Sequence, residues 1–104
     1  MSKDNRDLEV ARDIQAEIAN LTGIAVERIN GKERTKAVLD ARQLCMWFIK
    51  DKTSLNQWDI AAIMNKRTHG PVHHGLKKFR DVLDVNPGFR NRIAQIRARL
   101  EHIK

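Results

Sequence analysis

Apolar residues recur three or four positions apart in separate stretches of this chain, and the breaks between the stretches carry residues that stop or start helices. Leu8, Ala11, Ile14, Ile18 and Leu21 form one stripe, which predicts a helix over about Asp7 to Thr22 that Gly23 ends. Val26 to Asn30 leaves room for one helical turn before Gly31, with Val26 and Ile29 tucked under the first helix. From about Asp40 to Thr53 the apolar positions Ala41, Leu44, Cys45, Trp47, Phe48 and Ile49 cover more than half the circumference, which predicts the central helix. Ser54 to Asn56 break that pattern. Asn56, with Asp59 three residues later, predicts a capping box at the start of a short helix that holds Trp58 and Ile60 to Met64. Trp47 and Trp58 have apolar neighbours and are expected in the core or at its boundary rather than as platforms for base stacking.

A polar turn follows, Asn65, Lys66, Arg67, Thr68, and then a helix with two distinct faces. Thr68 is the expected N-cap of a helix starting at His69, and Pro71 is tolerated in its first turn because the amide it lacks needs no helical partner there. Val72, Leu76, Phe79 and Leu83 point inward at helical spacing, while His69, His73, Lys77 and Arg80 mark a polar side. A short apolar helix, a turn and a helix with one anchoring and one free face make a helix-turn-helix. Asn86-Pro87 supplies a cap and a proline for a final amphipathic helix over about 87–103. Its stripe, Phe89, Ile93, Ile96, Leu100 and Ile103, either packs on the domain or in part pairs with a second copy. The sum is an all-α fold, a compact bundle of about five to six helices, with residues 1–104 as a single domain.

Charge is unevenly spread. Residues 1–30 carry four basic and six acidic side chains, and residues 31–104 carry sixteen basic and seven acidic, so the two parts are near −2 and +9. The positive surface thus belongs to the helix-turn-helix and its flanks, as a polyanion-binding face requires. The one cysteine, Cys45, lies in an apolar run and reads as a buried small hydrophobe in a reducing compartment. The N-terminus lacks the apolar core of a signal peptide and no stretch reaches the roughly 20 apolar residues of a membrane span. A cytoplasmic protein with no membrane partner is expected. His69 and His73 are spaced i, i+4, but without a third ligand or an intervening Glu they predict neither a metal site nor a hydrolase. No cofactor and no catalytic activity are expected.

Residues from about Ile14 to Phe79 resemble the C-terminal DNA-binding domain of the bacterial chromosomal replication initiator, DnaA. The resemblance runs through Lys32-Glu33-Arg34-Thr35-Lys36, Ala41-Arg42-Gln43, Ile60-Ala61-Ala62-Ile63-Met64 and Arg67-Thr68-His69-Gly70-Pro71-Val72-His73-His74. The family signature after the short helix is Gly-Gly-Arg-Asp-His-Thr-Thr-Val followed shortly by His, and Arg67, His69, Val72 and His74 stand at matching places. Asn65-Lys66 replace the paired glycines, Thr68 the acidic residue, and Gly70-Pro71 the paired threonines. In that family the acidic residue, the His and the first Thr contact bases in the major groove, and an arginine of the basic loop enters the minor groove. The resemblance therefore implies a major-groove role for His69 and a minor-groove role for Arg34, with altered specificity, because Thr68 cannot offer a carboxylate acceptor and Gly70 offers neither hydroxyl nor methyl. No Gly-rich phosphate loop is present in the chain, so nucleotide-driven remodelling is not expected of it. A start at Met and a full set of helices are expected of a free-standing bacterial or phage protein.

The expected partner is double-stranded DNA. Arg42, Lys66, Arg67, Lys77 and Lys78 are candidates for phosphate contacts, and His69, His73 and His74 for base reading, with Thr68 as an additional donor or acceptor. His73 and His74 lie about 100° apart on a helix, so which of them faces DNA stays open. Arg34 and Lys36 are placed to enter an adjacent minor groove. The competing expectation is a regulatory protein-interaction module that keeps the initiator-like fold and binds a protein partner, or a second copy, through its terminal helix or the altered motif face.

Overall fold

The computed structural model describes residues 5–66 and 70–103, and within them the chain forms six helices: α1 (Asn5–Thr22), α2 (Val26–Ile29), α3 (Lys36–Lys52), α4 (Gln57–Ile63), α5 (Gly70–Val85) and α6 (Pro87–Arg99). Helix α3 is the hub. It packs against α1, α2, α4 and α5, while α6 closes on α5. This placement follows from its composition, since Val38, Ala41, Leu44, Cys45, Met46, Phe48 and Ile49 leave it no wide polar face. Ile14 and Ile18 of α1, Ile29 of α2, Leu55, and Ile60 and Met64 of the α4 region complete the core around Phe48. Each such side chain contributes roughly 1.5–3 kcal/mol by leaving water. Burial also pushes the Cys45 thiol up to about 12, so it stays protonated.

Helix ends follow local chemistry. Helix α1 stops at Gly23, whose φ of 72° is left-handed and whose amide donates to Ala19 O at 2.8 Å. Asn56 and Asp59 form the expected capping box on α4, with Asn56 Oδ1 accepting from the Asp59 amide at 2.9 Å and Asp59 Oδ2 accepting from the Asn56 amide at 3.1 Å. Asn86 Oδ1 likewise accepts from the Phe89 amide at 3.0 Å, with Pro87 in the first turn of α6.

Three expectations need correction. Helix α3 begins at Lys36, four residues before Asp40, because Val38 already has a buried place in the core and Lys36 pairs with Asp40 one turn on, at 3.0 Å. Helix α6 ends at Arg99 rather than near 103, yet Leu100 and Ile103 are still buried beyond its end. With Ile93 buried and Phe89 and Ile96 partly buried against the core, the terminal stripe packs mainly on this chain's own core. Finally, Trp58 is 63% exposed, whereas Trp47 stacks on Phe79 at 4.7 Å between ring centroids. Helix α4 is short and inserts only Ile60 and Ala61 fully, which turns position 58 outward.

Candidate nucleic-acid interface

The turn after α4 is shaped by its backbone. The amide of Lys66 donates to Ala61 O at 2.7 Å and that of Asn65 to Ala62 O at 3.2 Å, the paired bonds of a Schellman ending. Such an ending needs a left-handed residue, and Asn65 supplies it at φ 59°. Asparagine tolerates this region better than other residues with a Cβ, so it stands in where glycine is usual.

Beside that turn lies the loop joining α2 to α3, and it is held from beneath by two buried or half-buried cations. Arg42 is only 6% exposed. Its Nε donates to Ile29 O at 2.7 Å, and one terminal nitrogen donates to Gly31 O at 3.1 Å and Glu33 O at 3.0 Å, with a longer contact to Arg28 O at 3.4 Å. Lys66 donates from Nζ to the same Gly31 carbonyl at 3.0 Å. Burial, followed by the neighbouring charge of Arg34, lowers the Arg42 pKa, and burial followed by Arg42 lowers that of Lys66. Arg42 therefore lies beneath the loop with its donors committed to main-chain carbonyls, not on the open surface where a phosphate contact was expected, and the Lys66 ammonium is turned inward onto Gly31. The residue pattern does not announce this arrangement, because the acceptors are main-chain carbonyls, which every residue carries.

On the outer side of the loop, Arg28 grips Glu33 with two hydrogen bonds, 3.0 and 2.8 Å, and the Thr35 hydroxyl donates to Glu33 Oε2 at 2.8 Å. These bonds, Arg28 first, pull the Glu33 carboxyl down to about 2. Its charge is thereby matched within the loop. Arg34, next in sequence, is exposed and makes no hydrogen bond or ion pair among the described residues. Loop and helix share a cleft of about 420 Å³ whose lining includes Lys32, Arg34, Lys66, Pro71 and Gly75. The basic loop therefore stands next to the beginning of α5.

Helix α5 presents the expected two faces. Val72 and Phe79 are buried and Leu76 and Leu83 partly so, while His73, His74, Lys77, Lys78 and Arg80 are exposed. Its inner side is fixed by an aromatic chain across three helices, Trp47 on Phe79 and Phe79 against Phe89 at 5.0 Å. At Gly75 an added Cβ would lie 3.4 Å from Met46 Sδ, which shows how closely α5 approaches α3. His73 Nδ1 lies 3.3 Å from Gln57 Nε2 of α4, and the His74 ring meets that of His73 edge-on at 5.9 Å. Lys36 and Lys77 are exposed, and among the described residues they are held only by i, i+4 pairs with Asp40 and Asp81, at 3.0 and 3.4 Å. Such surface pairs are worth about 0.3–0.5 kcal/mol and exchange readily for another anion. Arg67, Thr68 and His69, including the cap expected of Thr68, lie outside the described residues. No group of three or more His, Cys, Asp or Glu suited to a metal occurs among the described residues, and no helix there is long and apolar enough to cross a membrane.

An all-helical bundle with a capped short helix, a left-handed turn and a two-faced helix flanked by a cationic loop is a helix-turn-helix of the DNA-binding class. Residues 11–79 match the family described as the bacterial DnaA protein helix-turn-helix, and the chain belongs to that family, whose members are DNA-binding rather than catalytic domains. Among curated relatives, the chromosomal replication initiator protein DnaA of Herpetosiphon aurantiacus is 32% identical over 90 residues, covering 86% of this chain and 19% of the relative. The protein of the same name from Chloroflexus aggregans is 26% identical over 82 residues, 79% of this chain and 17% of the relative. That of Campylobacter fetus subsp. fetus is 26% identical over 98 residues, 94% and 22%. The chain thus spans about a fifth of the length of these relatives.

Proposed function

We propose that residues 1–104 act as one duplex-reading domain, with the outer face of α5 in the major groove and the loop before α3 over the adjacent minor groove. The observation that carries this reading is Arg34. It has no hydrogen bond or ion pair among the described residues and stands on a loop that Arg42 and Lys66 clamp from below, beside the start of α5. A clamped loop presents its arginine with little ordering cost on binding. His69, with His73 or His74, reads base edges, and Lys36, Arg67, Lys77 and Lys78 meet phosphates. Arg42 becomes the residue that positions the loop. Lys66 joins it in that role.

Specificity differs from that of the initiators. Thr68 and Gly70 alter two base-reading positions, and a lysine that ties the turn to the loop stands where the family has glycine. The relatives are named as chromosomal replication initiators, and for this chain the corresponding role is recognition of a duplex site in the bacterial cytoplasm.

Selection of bound sequences from a random duplex library at about 150 mM salt, followed by titration of the best site, tests the reading. One enriched motif is expected. With four phosphate-contacting cations, log affinity should fall against log salt with a slope of about −3 to −4. Arg34→Ala should weaken the selected site by about tenfold or more, the scale of a lost specific contact. An unenriched pool, with Arg34→Ala bound as tightly as the parent, would refute it.

A further inference from the structure

A second cleft, of about 600 Å³, lies between α3, α5 and α6. Its walls include Leu39, Leu44, Phe79, Val82 and Phe89, and Arg34, Lys36, Lys78 and Arg92 also line it. Asp40 is the one carboxylate among the lining residues, and it is already paired with Lys36. Arg34, Lys78 and Arg92 have no hydrogen bond or ion pair among the described residues. Two other arginines of α6 are occupied differently. Arg90 caps the end of α5 through Leu83 O at 2.8 Å and Asp84 O at 3.0 Å, and Arg97 pairs with Asp51 at 3.5 Å. Arg92 lines this cleft and also, with Arg99, a smaller one between α1, α3 and α6, and with Phe89 it comes from a helix beyond the family-matched residues 11–79.

We propose that this cleft receives an acidic amphipathic helix of a partner protein, which thereby competes with duplex for Arg34. The lining combines apolar side chains with surplus positive charge. A sugar-phosphate backbone would satisfy the charge but has no apolar side groups to cover Leu39, Val82 and Phe89. A helix with apolar anchors at i, i+3, i+4 and i+7 and Glu or Asp on its flanks satisfies both. Arg34 also lines the neighbouring cleft beside Lys66 and Pro71, so an occupant here would reach the minor-groove arginine. Only the competition depends on the DNA reading; peptide binding does not.

The probe is a displayed library of helical peptides of about 16 residues, with Glu fixed on one face and large apolar residues varied on the other. Enrichment of a defined apolar set is expected. The best peptide should lose at least about tenfold in affinity on Arg92→Glu, since a like charge then faces its carboxylates. The same variant should melt like the parent and bind the selected duplex within about twofold, and the peptide should release bound duplex from the parent. Arg92 is not one of the proposed DNA contacts, although it shares the cleft with Arg34, Lys36 and Lys78, and failure of duplex binding leaves the peptide arm readable. Four results would overturn the proposal: no enriched peptide, undiminished binding after the peptide's apolar residues become Ser, duplex binding weakened by Arg92→Glu as much as peptide binding, or peptide and duplex bound together.

Discussion

The two halves of the proposed interface are held in place by opposite means. Helix α5 is anchored by apolar packing, Val72 and Phe79 in the core with Trp47 and Phe89 on either side of Phe79. The loop before α3 has almost no apolar anchor and is held by cations that donate to its carbonyls, Arg42 at three and Lys66 at one of the same three within about 3 Å. Packing is non-directional and tolerates small shifts, whereas a forked set of hydrogen bonds fixes a backbone path. A helix that carries its own internal hydrogen bonds needs only the first. An irregular loop needs the second to deliver one side chain to one place.

Substitutions at the anchors separate the two mechanisms. Phe79→Ala should have the largest effect, about 3–5 kcal/mol lost in chemical denaturation, since it removes the ring that joins α3, α5 and α6. Arg42→Ala should follow at about 3 kcal/mol, because several buried carbonyls lose their donor. Amide exchange would distinguish the pair. Loss at Phe79 should raise exchange along α5 and α6, whereas loss at Arg42 should raise it first in residues 28–35. Equal loosening of both regions in both variants would erase the contrast.

Lys66→Met is a finer probe. It removes one charge-assisted hydrogen bond while keeping the stem, for about 1 kcal/mol, and should weaken duplex binding more than that loss of stability alone explains. Binding unchanged in this variant would show that the turn does not position the loop. The smallest effect is acid loosening of the loop. Glu33 is held near 2 when folded, below its ordinary 4.5, so its contribution is present above about 4.5 and fades as pH falls towards 2. Loop exchange should rise across that window in the parent and not in Glu33→Gln, whose loop is already loosened at neutral pH.

The same contrast decides what could be read from the chain. Helix α5 was legible because Val72, Phe79 and their neighbours repeat with the helical period, and α4 because Asn56 and Asp59 sit at cap spacing. The loop clamp was not. Arg42 looks like any basic residue in a helix, and only the folded geometry brings it beneath the carbonyls of residues 29–33. Trp58 misled for a related reason, since its apolar neighbours describe composition, whereas exposure is set by which side of a seven-residue helix meets the core. Asn65 and Lys66 were visible as departures from the family's glycines. Their part in a left-handed turn and a tether appears only with φ and the Gly31 contact.

Whether the loop delivers Arg34 to the minor groove is best tested by methylation interference on the selected duplex, which reads guanine N7 in the major groove and adenine N3 in the minor groove, with parent and Arg34→Ala compared. Interference in both grooves is expected for the parent, and selective loss of the adenine N3 signal in the variant with the guanine N7 pattern retained. An adenine N3 signal that persists without Arg34, or none in the parent, would contradict a clamped loop that delivers its arginine to the minor groove.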